Sequence, residues 1–267
     1  MDAIVVADSA TRLDESARGA VVVCGSHGGL YAAWLAAKAG VRAIVLNDAG
    51  VGRNSAGIAG VAWLGGLGIA ACAIDHRSAR IADGADMLAN GIVSMTNDLA
   101  VSLGCAPGQT CRRAVNLLLR SHSPPKGEIP EIGETRSRIP NTGHRAVWAI
   151  DSIALAGEND ARAIVVTGSH GALLGGKPDT MLGVDVFAAF FNDAGGGKDD
   201  AGFARLSVLD ARGVAAAAVS HNTARIGDGR STYETGVISR VNETARRLDL
   251  REGMSARDAV TRLVGLG

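Results

Sequence analysis

Three kinds of turn carry residues suited to acid–base and anion chemistry, and each kind occurs twice. Gly25-Ser26-His27-Gly28 and Gly168-Ser169-His170-Gly171 set a hydroxyl beside an imidazole. Ser26 and Ser169 suit a nucleophile or an oxyanion contact, and His27 and His170 suit proton transfer near neutral pH. Gly28 and Gly171 would let the backbone approach a ligand and offer N–H groups to an anion. Asn47-Asp48-Ala49-Gly50 and Asn192-Asp193-Ala194-Gly195 supply carboxylates that can act as a base, orient a histidine or bind a metal. The third kind runs from His76 to Gly84 and from His221 to Gly229. There His76 and His221 are candidate proton carriers, Arg80 and Arg225 candidate clamps for a carboxylate or phosphate, and Asp83 and Asp228 loop-fixing partners of the arginines. Asx turns, helix caps and internal ion pairs use the same residue types, and they are the competing reading at every one of these positions.

These turns are paired because the chain is a tandem duplication. VVVCGSHGG at 21–29 matches IVVTGSHGA at 164–172, IVLNDAGVG at 44–52 matches AFFNDAGGG at 189–197, and HRSARIADG at 76–84 matches HNTARIGDG at 221–229. The expected organisation is a first repeat over 1–120, a Pro-containing linker or arm over 121–145 and a second repeat over 146–267. Within a repeat, short apolar runs such as Val21–Cys24, Ala43–Leu46 and Ile69–Ile74 read as buried strands. Leu30–Ala39, Ser78–Ala89, Asp98–Leu103 and Thr110–Leu119 read as helices. This alternation predicts an α/β fold, internally duplicated, with two similar parallel-sheet units related by a pseudo-two-fold axis. The polar turns then follow successive strands, at the carboxyl edge where open α/β sheets bind ligands. Asp8-Ser9 and Asp151-Ser152 read as turns after the first strand of each repeat. The uncharged stretch 57–74 approaches a membrane span in length, but its partner in the second repeat carries Arg205, Asp210 and Arg212, so it reads as buried core.

Composition narrows the function. Lys and Arg number 27 against 27 Asp and Glu, and aromatics are 3% of the chain, which disfavours nucleic-acid binding. Cys24, Cys72, Cys105 and Cys111 form no C-x-x-C pair; Thr167 and Ala217 replace Cys24 and Cys72 in the second copy, so a catalytic cysteine or a symmetric thiolate metal site is not expected. Free thiols and an acidic N-terminus point to the cytoplasm. Gly171 to Lys177 fits G-x-x-x-x-G-K, but Pro178 stands where a phosphate-binding loop needs Ser or Thr.

The copies differ beside the shared motifs. Arg53-Asn54-Ser55 in the first corresponds to Lys198-Asp199-Asp200 in the second. This favours one composite site with unequal halves over two equal ones. The succession of a Ser-His-Gly turn and an Asn-Asp-Ala-Gly turn is similar to caspase-like peptidases, in which a His-Gly turn and an Asp-Ala-Cys turn carry the dyad. Gly50 and Gly195 stand in the place of that cysteine, so the resemblance implies no cysteine-protease activity.

The expectation is a small-molecule enzyme, first of all a hydrolase of an amide or cyclic amide bond on an anionic substrate. Ser26, His27, Asp48, His76, Ser169, His170, Asp193 and His221 would do the chemistry. Arg80, Arg225, Gly28, Gly171 and Lys198 would bind substrate. A lyase or isomerase abstracting a proton beside a carboxylate would use the same residues, and a non-catalytic nucleotide- or anion-binding module would need only the Gly turns and the arginines. No cofactor is expected; a divalent metal on His and Asp is the alternative kept open. The neutral, Gly- and Ala-rich chain fits a homo-oligomer.

Overall fold

Each repeat builds its own sheet. In the computed structural model, which describes residues 4–122, 128–178 and 183–266, the first sheet runs in the order β1 (Ile4–Ala7), β2 (Val21–His27), β3 (Ala43–Asn47), β4 (Ala70–Ile74), β5 (Val93–Thr96). The first four strands are parallel, and β5 closes the edge antiparallel to β4. The second sheet repeats this with β7 (Val147–Ile150), β8 (Ile164–His170), β9 (Ala188–Asn192), β10 (Ala215–Val219) and an antiparallel β11 (Ile238–Val241). The architecture is therefore α/β with two similar, mostly parallel sheets. One strand falls outside the repeat: β6 (Arg136–Arg138), from the inter-repeat arm, pairs antiparallel with β7. Residues 123–127 of the expected linker lie outside the described residues.

Burial on both faces explains why the central strands read as continuous apolar runs. All five residues of β3, β4, β9 and β10 are buried. The first sheet packs one face on α1 (Leu30–Ala39) and α2 (Ala59–Gly66), and the other on α3 (Gly84–Asn90), α4 (Asp98–Ser102) and α5 (Cys111–Leu118). The second sheet is covered by α6 (Ala204–Ala211) on one side and by α7 (Gly229–Thr235), α8 (Glu243–Arg247) and α9 (Ala256–Val264) on the other. The stretch 57–74 folds as α2 followed by β4, and among the described residues no helix is long and apolar enough to cross a membrane. The expected helix over 78–89 begins only at Gly84, because Asp83 accepts the N–H of Asp86 and caps it there.

The repeats differ at one element. In the first, α1 connects β2 to β3. In the second, the described residues between β8 and β9 hold only a single 3-10 turn, Leu174–Gly176. Bulkier residues fill the space on that face: Phe191 stands where β3 has Leu46, and Arg205 stands where α2 has Gly60, with its guanidinium 5.4 Å from the Phe191 ring centroid.

The sheets meet edge-end to edge-end across the pseudo-two-fold axis. The contacts are reciprocal: the Arg53 N–H donates to the His221 carbonyl (2.7 Å) and the Lys198 N–H to the His76 carbonyl (2.8 Å). A small apolar cluster joining Ala49, Ile81 and Ala82 to Ala172, Ala194, Ala201 and Ile226 fills the seam.

Candidate active site

A local break in strand pairing places the Gly-Ser-His-Gly turns. β2 pairs regularly with β3 up to Val23, loses register, and re-pairs at His27 opposite Asn47; β8 does the same between Val166 and His170, which pairs with Asn192. The extra residues swing both histidines to the seam, where they line one cavity of about 400 Å3. That cavity also takes in Ser9, Ser26, Tyr31 and Asn54 from the first repeat, and Ser152, Ser169, Arg225 and Asp228 from the second. Ile132, Gly133 and Glu134 of the arm complete the wall. One composite cavity thus draws on both repeats unequally.

Both cavity histidines are neutral at physiological pH and share a tautomer. The Gly29 N–H donates to His27 Nδ1 (3.1 Å) and the Ala172 N–H to His170 Nδ1 (3.2 Å). An acceptor Nδ1 leaves the proton on Nε2. Burial lowers His27 to about 4. Burial, reinforced by the charge of Arg205 and by His27 itself, lowers His170 to about 3. Each imidazole therefore has one N–H to donate, and the protonated forms are scarce near pH 7.

Arg205 does in the second repeat what the missing helix does in the first. The Gly29 carbonyl is satisfied by the Ala33 N–H inside α1, whereas the corresponding Ala172 carbonyl accepts from Arg205 Nε at 2.8 Å. Arg205 is only 3% exposed, and burial lowers its guanidinium to about 10.

The serines are anchored but not activated. Ser26 Oγ accepts the Ala10 N–H and Ser169 Oγ accepts the Ile153 N–H, both at 2.9 Å. No hydrogen bond joins either hydroxyl to an imidazole among the described residues, so the serines sit in the cavity without a base. Gly28 and Gly171 do not serve an anion: their N–H groups are spent on the carbonyls of Asn47 and Asn192.

The other histidines go elsewhere. His76 Nδ1 bonds Asp48 Oδ1 and His221 Nδ1 bonds Asp193 Oδ1, each at 2.8 Å, but neither pair lines the cavity. Each ring packs against a glycine of the opposite repeat, His76 on Gly195 and His221 on Gly50. Burial would raise the Asp193 carboxyl, yet hydrogen bonds from the ring and backbone of His221 hold it below the usual range. These dyads fasten the two repeats together, so the sequence expectation that His27 and His76 share a site is corrected to two separate places. Asp48, Asp75 and His76 form the one group with metal-compatible spacing among the described residues. Within it His76 and Asp48 bond each other, Arg77 holds Asp75, and Ser220 replaces Asp75 in the second repeat.

The basic residues divide by their carboxylate partners. Arg80 lies against Asp83, Asp86 and, across the seam, Asp199; Lys198 bonds Asp86 at 2.8 Å. Both are spent on ion pairs outside the cavity. Arg225 keeps only Asp228 among the described residues, because Ser231 replaces Asp86 and Asn54 replaces Asp199. Among the described residues the cavity therefore holds one arginine, from the second repeat.

Two cavity groups had no signal in the motifs. Glu134 lies in the arm, and Tyr31 in the first turn of α1; their place in the same cavity as the histidines is a tertiary fact. The four cysteines are buried, and burial pushes Cys24 up to about 11 and Cys111 to about 12, leaving them protonated. No protein-family model, curated protein or solved structure matches the chain.

Proposed function

We propose that the inter-repeat cavity is the active site of a small-molecule enzyme that polarises a carbonyl group of an anionic substrate, with hydrolysis of an amide or cyclic amide as the reaction. The observation that carries this reading is the pair of neutral imidazoles that line one cavity, each with Nδ1 taken by a backbone N–H and its proton on Nε2. Two preorganised donors stabilise the oxyanion that forms when a carbonyl is attacked. Arg225, relieved of two of the three carboxylates that occupy Arg80, supplies the charge for a substrate carboxylate. Leu30, Leu35 and Ile226 give the apolar wall that small-molecule sites need. Since no base meets Ser26 or Ser169, the nucleophile in this reading is water.

A second reading, proton abstraction beside a carboxylate, is favoured by that same absence of an activated nucleophile, because the two donors would stabilise an enolate equally well.

The test uses succinimide, a cyclic amide, and succinamate, an anionic open-chain amide, as ligands in thermal shift and as substrates in product analysis. Succinamate is expected to raise Tm and to be hydrolysed. His27→Ala and His170→Ala should each cut turnover by roughly 100- to 1000-fold, the usual cost of one oxyanion donor. Glutamine at either position, whose amide reaches towards the lost Nε2–H, should restore part of it. Asn54→Asp gives Arg225 back a carboxylate partner and should weaken succinamate binding without weakening succinimide binding. Unchanged turnover in both alanine variants would sink the carbonyl-polarising reading.

A further inference from the structure

We infer that Glu134, on the arm between the repeats, is the group that exchanges a proton with the ligand in this cavity. The inference deepens the proposed function and rests on the cavity being the active site.

The other titratable groups lining the cavity are committed. Asp151 Oδ1 accepts the Gly229 N–H, and its Oδ2 accepts both the N–H and the hydroxyl of Thr135. Asp228 accepts the Ser231 N–H on one oxygen and Arg225 on the other. Both oxygens of each carboxylate are thus taken up by partners within the protein. His27 and His170 have Nδ1 occupied by backbone N–H groups and keep their only proton as donors. Arg225 is paired with Asp228.

Glu134 is set differently. It has no arginine or lysine partner among the described residues; its carboxyl group faces the hydroxyls of Tyr31, from α1, and Ser152. Burial, together with the nearby charge of Asp151, raises its pKa against the pull of those two hydroxyls. Burial and Glu134 likewise raise Tyr31, which stays a neutral donor. The arm is pinned at the two residues that follow. Thr135 bonds Asp151 three times, counting the Asp151 N–H to the Thr135 carbonyl, and Arg136 forms a bidentate pair with the buried Asp160. A carboxyl held this firmly, half-buried and unpaired with a cation, is suited to gain and lose a proton.

In hydrolysis the step balances as follows. Glu134 takes one proton from a water whose oxygen adds to the carbonyl carbon, while the imidazole Nε2–H groups hold the resulting oxyanion. It then returns that proton to the amide nitrogen as the C–N bond breaks. One water is consumed, and a carboxylic acid and an amine are released.

The experiment is a 13C NMR titration of Glu carboxyl carbons in the whole protein, with Glu134→Gln to assign the resonance, followed by turnover of succinamate against pH. The Glu134 signal is expected to titrate above the other glutamates and to shift when succinamate is added. Glu134→Gln should keep the wild-type Tm, bind succinamate within about threefold of wild type, and lose the pH limb of turnover that Glu134 controls. Glu134→Asp, which keeps the acid but draws it back, should retain that limb at a lower rate. If wild type hydrolyses neither probe but succinamate still moves the Glu134 titration, the hydrolase reading fails and the proton-exchange role stands. If Glu134 titrates with the ordinary glutamates, or Glu134→Gln leaves the pH profile intact, the inference is overturned.

Discussion

His27 and His170 show how one backbone hydrogen bond changes what a residue can do. A histidine after a buried strand reads as a proton carrier, because its ordinary pKa lies near 6.5. Here the N–H groups of Gly29 and Ala172 occupy Nδ1, and burial removes the cost-free route to a second proton. The same burial links the site to stability. Both groups have folded-state values below the unfolded one, so the unfolded chain binds more protons as the pH drops. The stabilisation is fully present above about pH 6.5 and is lost as the pH falls towards 4 for His27 and 3 for His170. Tm measured from pH 7.5 to 4.5 should therefore decline. The decline should be shallower in His170→Gln than in wild type, since His170 is the more deeply shifted. Parallel curves for the two proteins would show that other groups govern the acid limb. His27 is the less deeply shifted of the two, so its substitution should flatten the curve less.

At the scale of elements, each repeat is locked by an asparagine that its motif position does not advertise. Asn97 caps α4 by accepting the Ala100 N–H, accepts the Ala71 N–H of β4, and donates to the carbonyls of Val61 and Ile69. Asn242 repeats all four bonds with Ala245, Ala216, Leu206 and Val214. One buried amide thus ties a helix start, a strand, the preceding helix and the residue that leads from that helix into the strand to each other. Asn97→Ala leaves buried donors and acceptors unpaired and is expected to cost about 3 kcal/mol, against about 1 kcal/mol for an exposed cap. Urea unfolding would read this as a lower midpoint with an unchanged slope. Asn97→Asp keeps the acceptor but loses the donor and buries a charge, so it should not rescue. The substitution of Arg205 for a helix belongs to this scale too. The first repeat satisfies the Gly29 carbonyl with α1, and the second satisfies the Ala172 carbonyl with a side chain. A cation then stands behind His170 where the other repeat has a helix N-terminus close to His27.

For the whole molecule, the site exists only while the repeats are docked. The axis is built from Gly50 and Gly195, with φ of +74° and +78°, each under a histidine of the other repeat. A Cβ on Gly195 would lie 2.7 Å from His76 Cδ2 and 3.1 Å from Gly50 Cα. Gly195→Ala is therefore strained in backbone and in contact, and should cost several kcal/mol or separate the repeats. Hydrogen exchange should then rise at the N–H groups of Arg53 and Lys198, which cross the seam. Gly66→Ala, with open space around the added carbon, is the matched control and should leave exchange unchanged. Equal behaviour of the two variants would mean that the axis contact is not what holds the repeats.

The duplication, the buried strands and the carboxyl-edge placement of the polar turns were legible in the linear order of residues, because repetition and apolar runs are local properties. The inequality of the two halves was legible as well, in Asn54 against Asp199. Four things were decided only by the tertiary structure. The division of the histidines into a cavity pair and a seam pair depends on how the repeats dock. So does the release of Arg225, whose counterpart Arg80 is neutralised by a carboxylate from the other repeat. The neutral state of His27 and His170 follows from burial and from backbone donors that no spacing rule reveals. Glu134 enters the site because β6 draws the arm onto β7, an antiparallel pairing of three residues with no apolar pattern to announce it. Local sequence sets which groups exist and which elements they end, whereas docking across the axis sets which groups meet and how strongly each is desolvated.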